Sequence, residues 1–499
     1  MLLSETSPTD LHRDNDPLVR AYNDVAYTSV PGTAAHPDRL ATIATLLGLE
    51  VAPVATCRVL EMACGNGMNL VPIAATLPKA SFTGFDFAVR PITQAQQMAS
   101  DLGLSNIRLL QLDLRDVPAD LGSFDYIVAH GLYSWIPAEV RALVMPLIAR
   151  HLAPNGVAFV SYNTLPGCHI RRAVWEMLKY HAREIEDLPA KLAAARSLIA
   201  LVSMPVAGEH ESEKAMRTEV RHAGEGNDAA LAHDDMSEPN DPVYFHEFVA
   251  DAARAGLAFL AEARLGTMMG PGLAPSVREA LGKLDRLVRE QYLDFIFFRR
   301  FRESLLCHDK ALSRFVVQPA RALQMHAAPS SDARRAAASA TPAPNADADA
   351  RALEEFLLAR WPNSVPVAEL AKWRGRALPA DAPERTLRPI EILLAELFVA
   401  GRVDLHTLPF DAAAAPGEHP EAFAAARWIA RENDVVPNLY QEPLRLQDDA
   451  GRQLVGLLDG TRSRDELIAA IGGPFSGPKG RAQLENVLAM LAKEGMLVS

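Results

Sequence analysis

From Arg58 to Asn163 the chain alternates short, apolar, β-branched runs with helical patterns, and that alternation leaves few folds open to it. The runs Val59–Ala63 (VLEMA), Phe82–Asp86 (FTGFD), Ile107–Asp113 (IRLLQLD), Phe124–His130 (FDYIVAH) and Val157–Asn163 (VAFVSYN) read as strands. The turn Pro154-Asn155-Gly156 opens the last of them, and helices are expected over Met68–Leu77, Ile92–Leu102 and Ala138–His151. Strands this uniformly apolar belong to a parallel sheet covered on both faces. Right-handed crossovers then make it a doubly wound, Rossmann-like α/β sheet.

In such a sheet a ligand lies beyond the carboxyl ends of the strands, where the strand order switches. The first strand runs there into Glu61-Met62-Ala63-Cys64-Gly65-Asn66-Gly67. Gly65 and Gly67 allow torsions and a close approach that a side chain would block. The following helix aims its N-terminus at the same place. Asp86 ends the second strand, where a carboxylate can accept from both hydroxyls of a ribose, and Asp113 ends the third, near an adenine amino group. A dinucleotide fingerprint needs a third glycine where Leu70 stands, and its pyrophosphate would face Glu61. A ligand without phosphate, bearing a sulfonium and an ammonium, suits these acids better, which points to S-adenosylmethionine. The expected contacts are Tyr27, Glu61, Ala63, Gly65, Gly67, Asn69, Asp86, Asp113, Leu114 and His130. Tyr27 would fold over the ligand on an N-terminal arm, an exposed loop tyrosine being the other reading. A mere tight turn beside a surface carboxylate is the plain alternative for the whole motif.

The acceptor side is sought at the next strand ends, His130-Gly131-Leu132-Tyr133-Ser134-Trp135 and Tyr162-Asn163. An amine must be neutral to attack a methyl group, and desolvation between aromatic walls encourages a lysine to lose its proton. Tyr133, Trp135 and Tyr162 are candidates for that wall, with His130 to steer or accept a proton. Trp135 and Tyr162 read equally well as core residues, and His130 as a hydrogen-bonded strand end. Asn-Pro-Pro-Tyr, the sequence expected for a nucleobase or glutamine acceptor, does not occur.

Composition narrows the classes further. A net charge of −12 argues against nucleic acid as the main partner, because basic surface carries phosphate binding. The 4 cysteines include no C-x-x-C pair, so no metal site is expected and reduced, buried thiols are. Residues Met1–Pro17 lack the cationic start and apolar core of a signal peptide, and no apolar run reaches the roughly 18 residues of a membrane span. A cytoplasmic protein is expected.

A length of 499 residues calls for about three domains. The donor-binding core is placed at 22–185, followed by a mostly helical region at 186–325 that can also complete the sheet. Within it Gly208–His233 reads as a loop, Gly256–Leu260 as strand-capable and Val277–Arg302 as one long helix. The stretch 327–350, rich in Ala, Ser, Pro and Asp, reads as a linker. Beyond it, winged-helix-like modules are expected at 351–422 and 423–499. In the second, Asp459-Gly460 makes a turn and Ser463 an N-cap.

These residues resemble the class I methyltransferases, and within them a bacterial group with a methyltransferase regulatory domain that includes lysine methyltransferases of rickettsial outer-membrane proteins. The resemblance runs from about Tyr22 to His308. It is carried by Tyr27, His36-Pro37-Asp38-Arg39-Leu40-Ala41, VLEMACGNGMNL (59–70), GFDFA (84–88), HGLYSWIP (130–137), NGVAFVSYNTLPG (155–167), NDPVYFHEF (240–248) and EQYLDFIFFRRFRESLLCH (290–308). Ala63 stands where the family has the first glycine of its turn. The resemblance implies S-adenosylmethionine as cofactor and a lysine of a protein as acceptor, an outer-membrane or other surface protein before export being one such substrate. The segment Leu457–Leu467 is similar to winged-helix peptide-binding modules, which implies a role in holding a substrate or partner. A small-molecule methyltransferase and a donor-binding protein without turnover are the other readings.

Overall fold

The computed structural model describes residues 31–311, 315–339, 348–377, 388–477 and 479–499. At its centre is an 8-stranded sheet. Strands β1 (Arg58–Met62), β2 (Ser81–Asp86), β3 (Ile107–Gln111), β4 (Phe124–Ala129) and β5 (Leu152–Leu165) are parallel, in the order β3-β2-β1-β4-β5. Every residue of β4 is buried, as expected of a central strand covered on both faces. The expected turn at Pro154-Asn155-Gly156 is a break in register inside β5: Phe124 pairs with Leu152, but Tyr126 pairs with Val157.

The middle region completes this sheet. β6 (Val243–Tyr244) pairs with the end of β5, while β7 (Leu257–Glu262) and β8 (Phe301–His308) extend the sheet, with β8 antiparallel between β5 and β7. The single helix expected over Val277–Arg302 is two, Pro275–Gly282 and Arg286–Phe297. Asp285 caps the second by accepting from the Leu287 amide, and Phe298 ends it at φ 49°. The loop expected over Gly208–His233 contains the helix Glu211–Glu225, whose Val220 and Ala223 are buried against helices Cys168–His181 and Leu188–Val202. Its capping box at His210 and Glu213 and its amphipathic packing outweigh a polar composition.

The expected linker also carries structure. Strand β9 (His326–Pro329) pairs with β10 (Val365–Pro366) and β11 (Val403–His406), and Ser330 caps a helix over Ser331–Ala338. Alanines 327 and 328 fit a closely packed strand. With helices Ala348–Leu358, Val367–Ala377 and Ile390–Val399 these strands form the first winged-helix-like module. The second packs Ile429, Leu454, Leu467, Leu484 and Leu488 between its helices, and Ser463 caps one of them as expected.

Candidate functional site

The ends of β1 and β2 build the first half of the site. The Cys64 amide donates to the Phe85 carbonyl, which pins the turn after β1 against β2. Ala63, Gly65 and Gly67 hold φ of 56°, 53° and 73°. A Cβ on Gly67 would lie 2.8 Å from Val71 and 2.9 Å from Ala95, so the helices behind the turn exclude a side chain there. Ala63 holds a left-handed torsion that L-residues rarely adopt, so the departure from glycine is strained.

Glu61 is buried at the end of β1. Its Oε1 accepts from Asn69 Nδ2 at 3.1 Å, while Oε2 has no hydrogen-bond partner among the described residues. Burial pushes its pKa up to about 8, with the nearby Asp86 adding to the rise. Asn66 Oδ1, in the same turn, is a second buried acceptor without a partner among the described residues. Asp86 binds the turn directly, accepting from the Gly65 amide at 2.9 Å and the Ala88 amide at 2.8 Å. A carboxylate has further lone pairs, so this leaves acceptor capacity for a ribose hydroxyl. Asp113 accepts from the Arg115 amide at 2.8 Å and pairs with its guanidinium, capping the short helix Leu114–Asp116, and Leu114 packs against the apolar cluster beneath. Tyr27 lies outside the described residues. Unmatched buried acceptors around a cramped glycine turn fit a ligand that brings N–H donors and positive charge, as S-adenosylmethionine does.

The second half lies at the ends of β4 and β5. His130 is reachable from solvent, yet the protein around its ring holds its pKa below the ordinary value. Its Nδ1 lies 2.8 Å from Ser161 Oγ, and that oxygen accepts from the Gly131 amide. Tyr133 and Tyr162 do not form the expected wall. Tyr162 is fully buried, stacked on Phe248 at 4.1 Å, with its hydroxyl against Ser304. Tyr133 is buried edge-on to both rings and donates to Asp251 at 2.6 Å. The helix Phe245–Arg254 lays Phe248 over them, which turns both tyrosines into core. Trp135 is half-buried, and its indole N–H has no partner among the described residues.

Sequence reasoning missed Ser161 and the polar stitch beside it. Asn163 donates from its backbone to Ser134 Oγ and from its side chain to Asn240, and the Asp241 amide donates to the Ser134 carbonyl. Ser161 and Asn163 interrupt an otherwise apolar strand, which was the one available signal. Asn240 and Asp241 also line an open cavity of about 730 Å³ with Pro137, Arg172, Trp175 and Glu176.

Comparison with known proteins adds to this geometry. Residues 227–308 match the predicted methyltransferase regulatory domain, 59–156 a methyltransferase domain, and 418–475 the PKMT C-terminal winged helix domain. Two uncharacterized proteins of Rickettsia prowazekii are similar. RP789 is 37% identical over 292 residues, 58% of this chain and 52% of that protein, so the match spans about half of its length. RP028 is 32% identical over 235 residues, 47% of this chain and 94% of that protein. The solved structure of PKMT2 from Rickettsia typhi shares the fold, with a TM-score of 0.80 and 24% identity over 95% of this chain and 100% of that one. The same values hold for PKMT2 in complex with AdoHcy.

Proposed function

The chain belongs to the S-adenosylmethionine-dependent methyltransferases that carry a methyltransferase regulatory domain, of the kind found in rickettsiae, and on that premise we propose that it methylates a lysine side chain of a protein. S-adenosylmethionine is the cofactor, and when bound it supplies an electrophilic methyl group. Glu61 and Asn66 offer their free oxygens to its cationic end, and Asp86 its remaining lone pairs to the ribose. Asn69 holds the Glu61 carboxylate in place.

One observation carries the choice of a protein acceptor: the open, charged cavity beside the ends of β4 and β5. Its volume is that of a site for a molecule of drug size or a short peptide segment. Arg172, Lys179, Glu176, Glu238 and Asp241 line it, and charges of both signs suit a polypeptide better than an apolar metabolite. The name of PKMT2, whose fold this chain shares, and the PKMT winged-helix match agree with a protein substrate. Transfer then requires mainly that a neutral amine be placed in line with the methyl–sulfur bond.

Incubation of the full chain with methyl-labelled donor and a bacterial extract tests this reading. Label that survives base treatment and maps to lysine in digested protein is the expected result. Label confined to small molecules would sink it.

A further inference from the structure

Ser161 is fully buried in β5, away from water. Its Oγ receives the Gly131 N–H at 2.9 Å and lies 2.8 Å from His130 Nδ1. A serine hydroxyl has one proton and two lone pairs. No other acceptor stands within reach among the described residues, so the proton goes to His130 Nδ1 and that nitrogen must be unprotonated. A neutral imidazole then carries its proton on Nε2, the nitrogen not held by Ser161. The protein packed around the ring lowers its pKa, which favours the neutral form.

We propose that Ser161 is a positioning residue that locks His130 as an N–H donor through Nε2, so that the histidine holds an oxygen acceptor in the site and is not the base that deprotonates the amine. The role rests on the reading of the chain as an amine methyltransferase. A donor aimed at the attacking nitrogen would occupy its lone pair; a donor aimed at a carboxylate or carbonyl oxygen orients without that cost. The oxygen belongs either to the carboxylate of the bound methyl donor or to the backbone of the acceptor segment. The amine's proton then leaves by a route other than His130.

Nuclear magnetic resonance of the ¹⁵N-histidine-labelled full chain reads the tautomer without any turnover, so it succeeds or fails independently of the acceptor. His130→Gln identifies the signals by their loss. The expected spectrum shows a protonated Nε2 and a bare Nδ1 at neutral pH, shifting to a tautomer mixture in Ser161→Ala and restored in Ser161→Thr. A protonated Nδ1 in the native chain overturns the proposal. A shift of the Nε2–H signal on adding S-adenosylhomocysteine places the oxygen on the methyl donor; a shift only on adding a lysine peptide places it on the substrate. Neither ligand moving it would also overturn the proposal. In the transfer assay His130→Gln, which keeps an N–H at similar reach, should exceed His130→Glu, which offers a base and no donor, by about tenfold or more. Loss of a true base costs roughly a hundredfold or more, so the reverse ranking would restore the base role.

Discussion

At the scale of single residues, the turn after β1 carries both the strain and the charge of the site. Ala63 sits at φ 56° where glycine would be relaxed. Ala63→Gly should therefore raise unfolding stability by about 0.5–1 kcal/mol, measured by urea titration. Glu61 shows how binding and pH are linked. Its carboxyl is raised from 4.5 to about 8 in the folded chain, chiefly by burial. The folded state thus binds a proton that the unfolded state has released, so this group's contribution is full below about pH 4.5 and falls as pH rises toward 8. Thermal melts from pH 5 to 8 should show this decline, and Glu61→Gln should flatten it. A cationic ligand relieves the same penalty, so stabilisation by S-adenosylmethionine should be larger at pH 8 than at pH 6. Asp86→Ala removes charge-assisted hydrogen bonds and should weaken S-adenosylhomocysteine binding by roughly 1.5–3 kcal/mol. Unchanged calorimetric affinity would take Asp86 out of the site.

At the scale of elements, the ladder from β1 to β5 was legible because each strand is an apolar run bounded by turns. The segment Val277–Arg302 was not, because its helical pattern runs unbroken through Lys283–Asp285, where one helix stops and Asp285 caps the next, and on past Phe298, where the backbone turns left-handed. A tertiary demand ends that helix. Arg302, buried in β8, bonds Asp294 and Glu290 on the helix and Glu262 on β7, with its guanidinium 4.0 Å from the centre of the Phe245 ring. A charge so enclosed is tolerable only with its partners present. Arg302→Met leaves three buried carboxylates, with Arg299 as the ion-pair partner left to Asp294 and Glu290 among the described residues, and only the Ser304 hydroxyl and the Glu303 amide on Glu262. It should cost about 3–5 kcal/mol in chemical unfolding. A change within a fraction of a kcal/mol would show that the cluster is not a keystone of the β7–β8 pair.

At the scale of the whole molecule, the modules share continuous cores. Asp38, at the start of helix Pro37–Leu46, accepts from the Thr407 amide and hydroxyl and faces His406 Nδ1 at 2.9 Å. Arg39 joins Asp404 of the first winged-helix-like module to the Ala263 carbonyl after β7. The His36–Ala41 motif thus fastens that module to the sheet. Asp38→Ala should speed hydrogen exchange at Thr407 and lower stability by about 1–3 kcal/mol, with little change at β1. The final module rests on the helices behind the donor turn, packing beside Met68, Val71 and Met98, with Trp428 donating to Asp101.

The sequence by itself determined the parallel sheet, the acidic glycine turn and its ligand class. These depend on local signals: apolar period, torsions open to glycine, and a carboxylate at a strand end. Tertiary structure decided the rest. The roles of Tyr133 and Tyr162 depend on Phe248, far along the chain, because an aromatic side chain is wall or core only by what covers it. The part played by His130 depends on Ser161, because a histidine's tautomer is set by the hydrogen bond its other nitrogen makes.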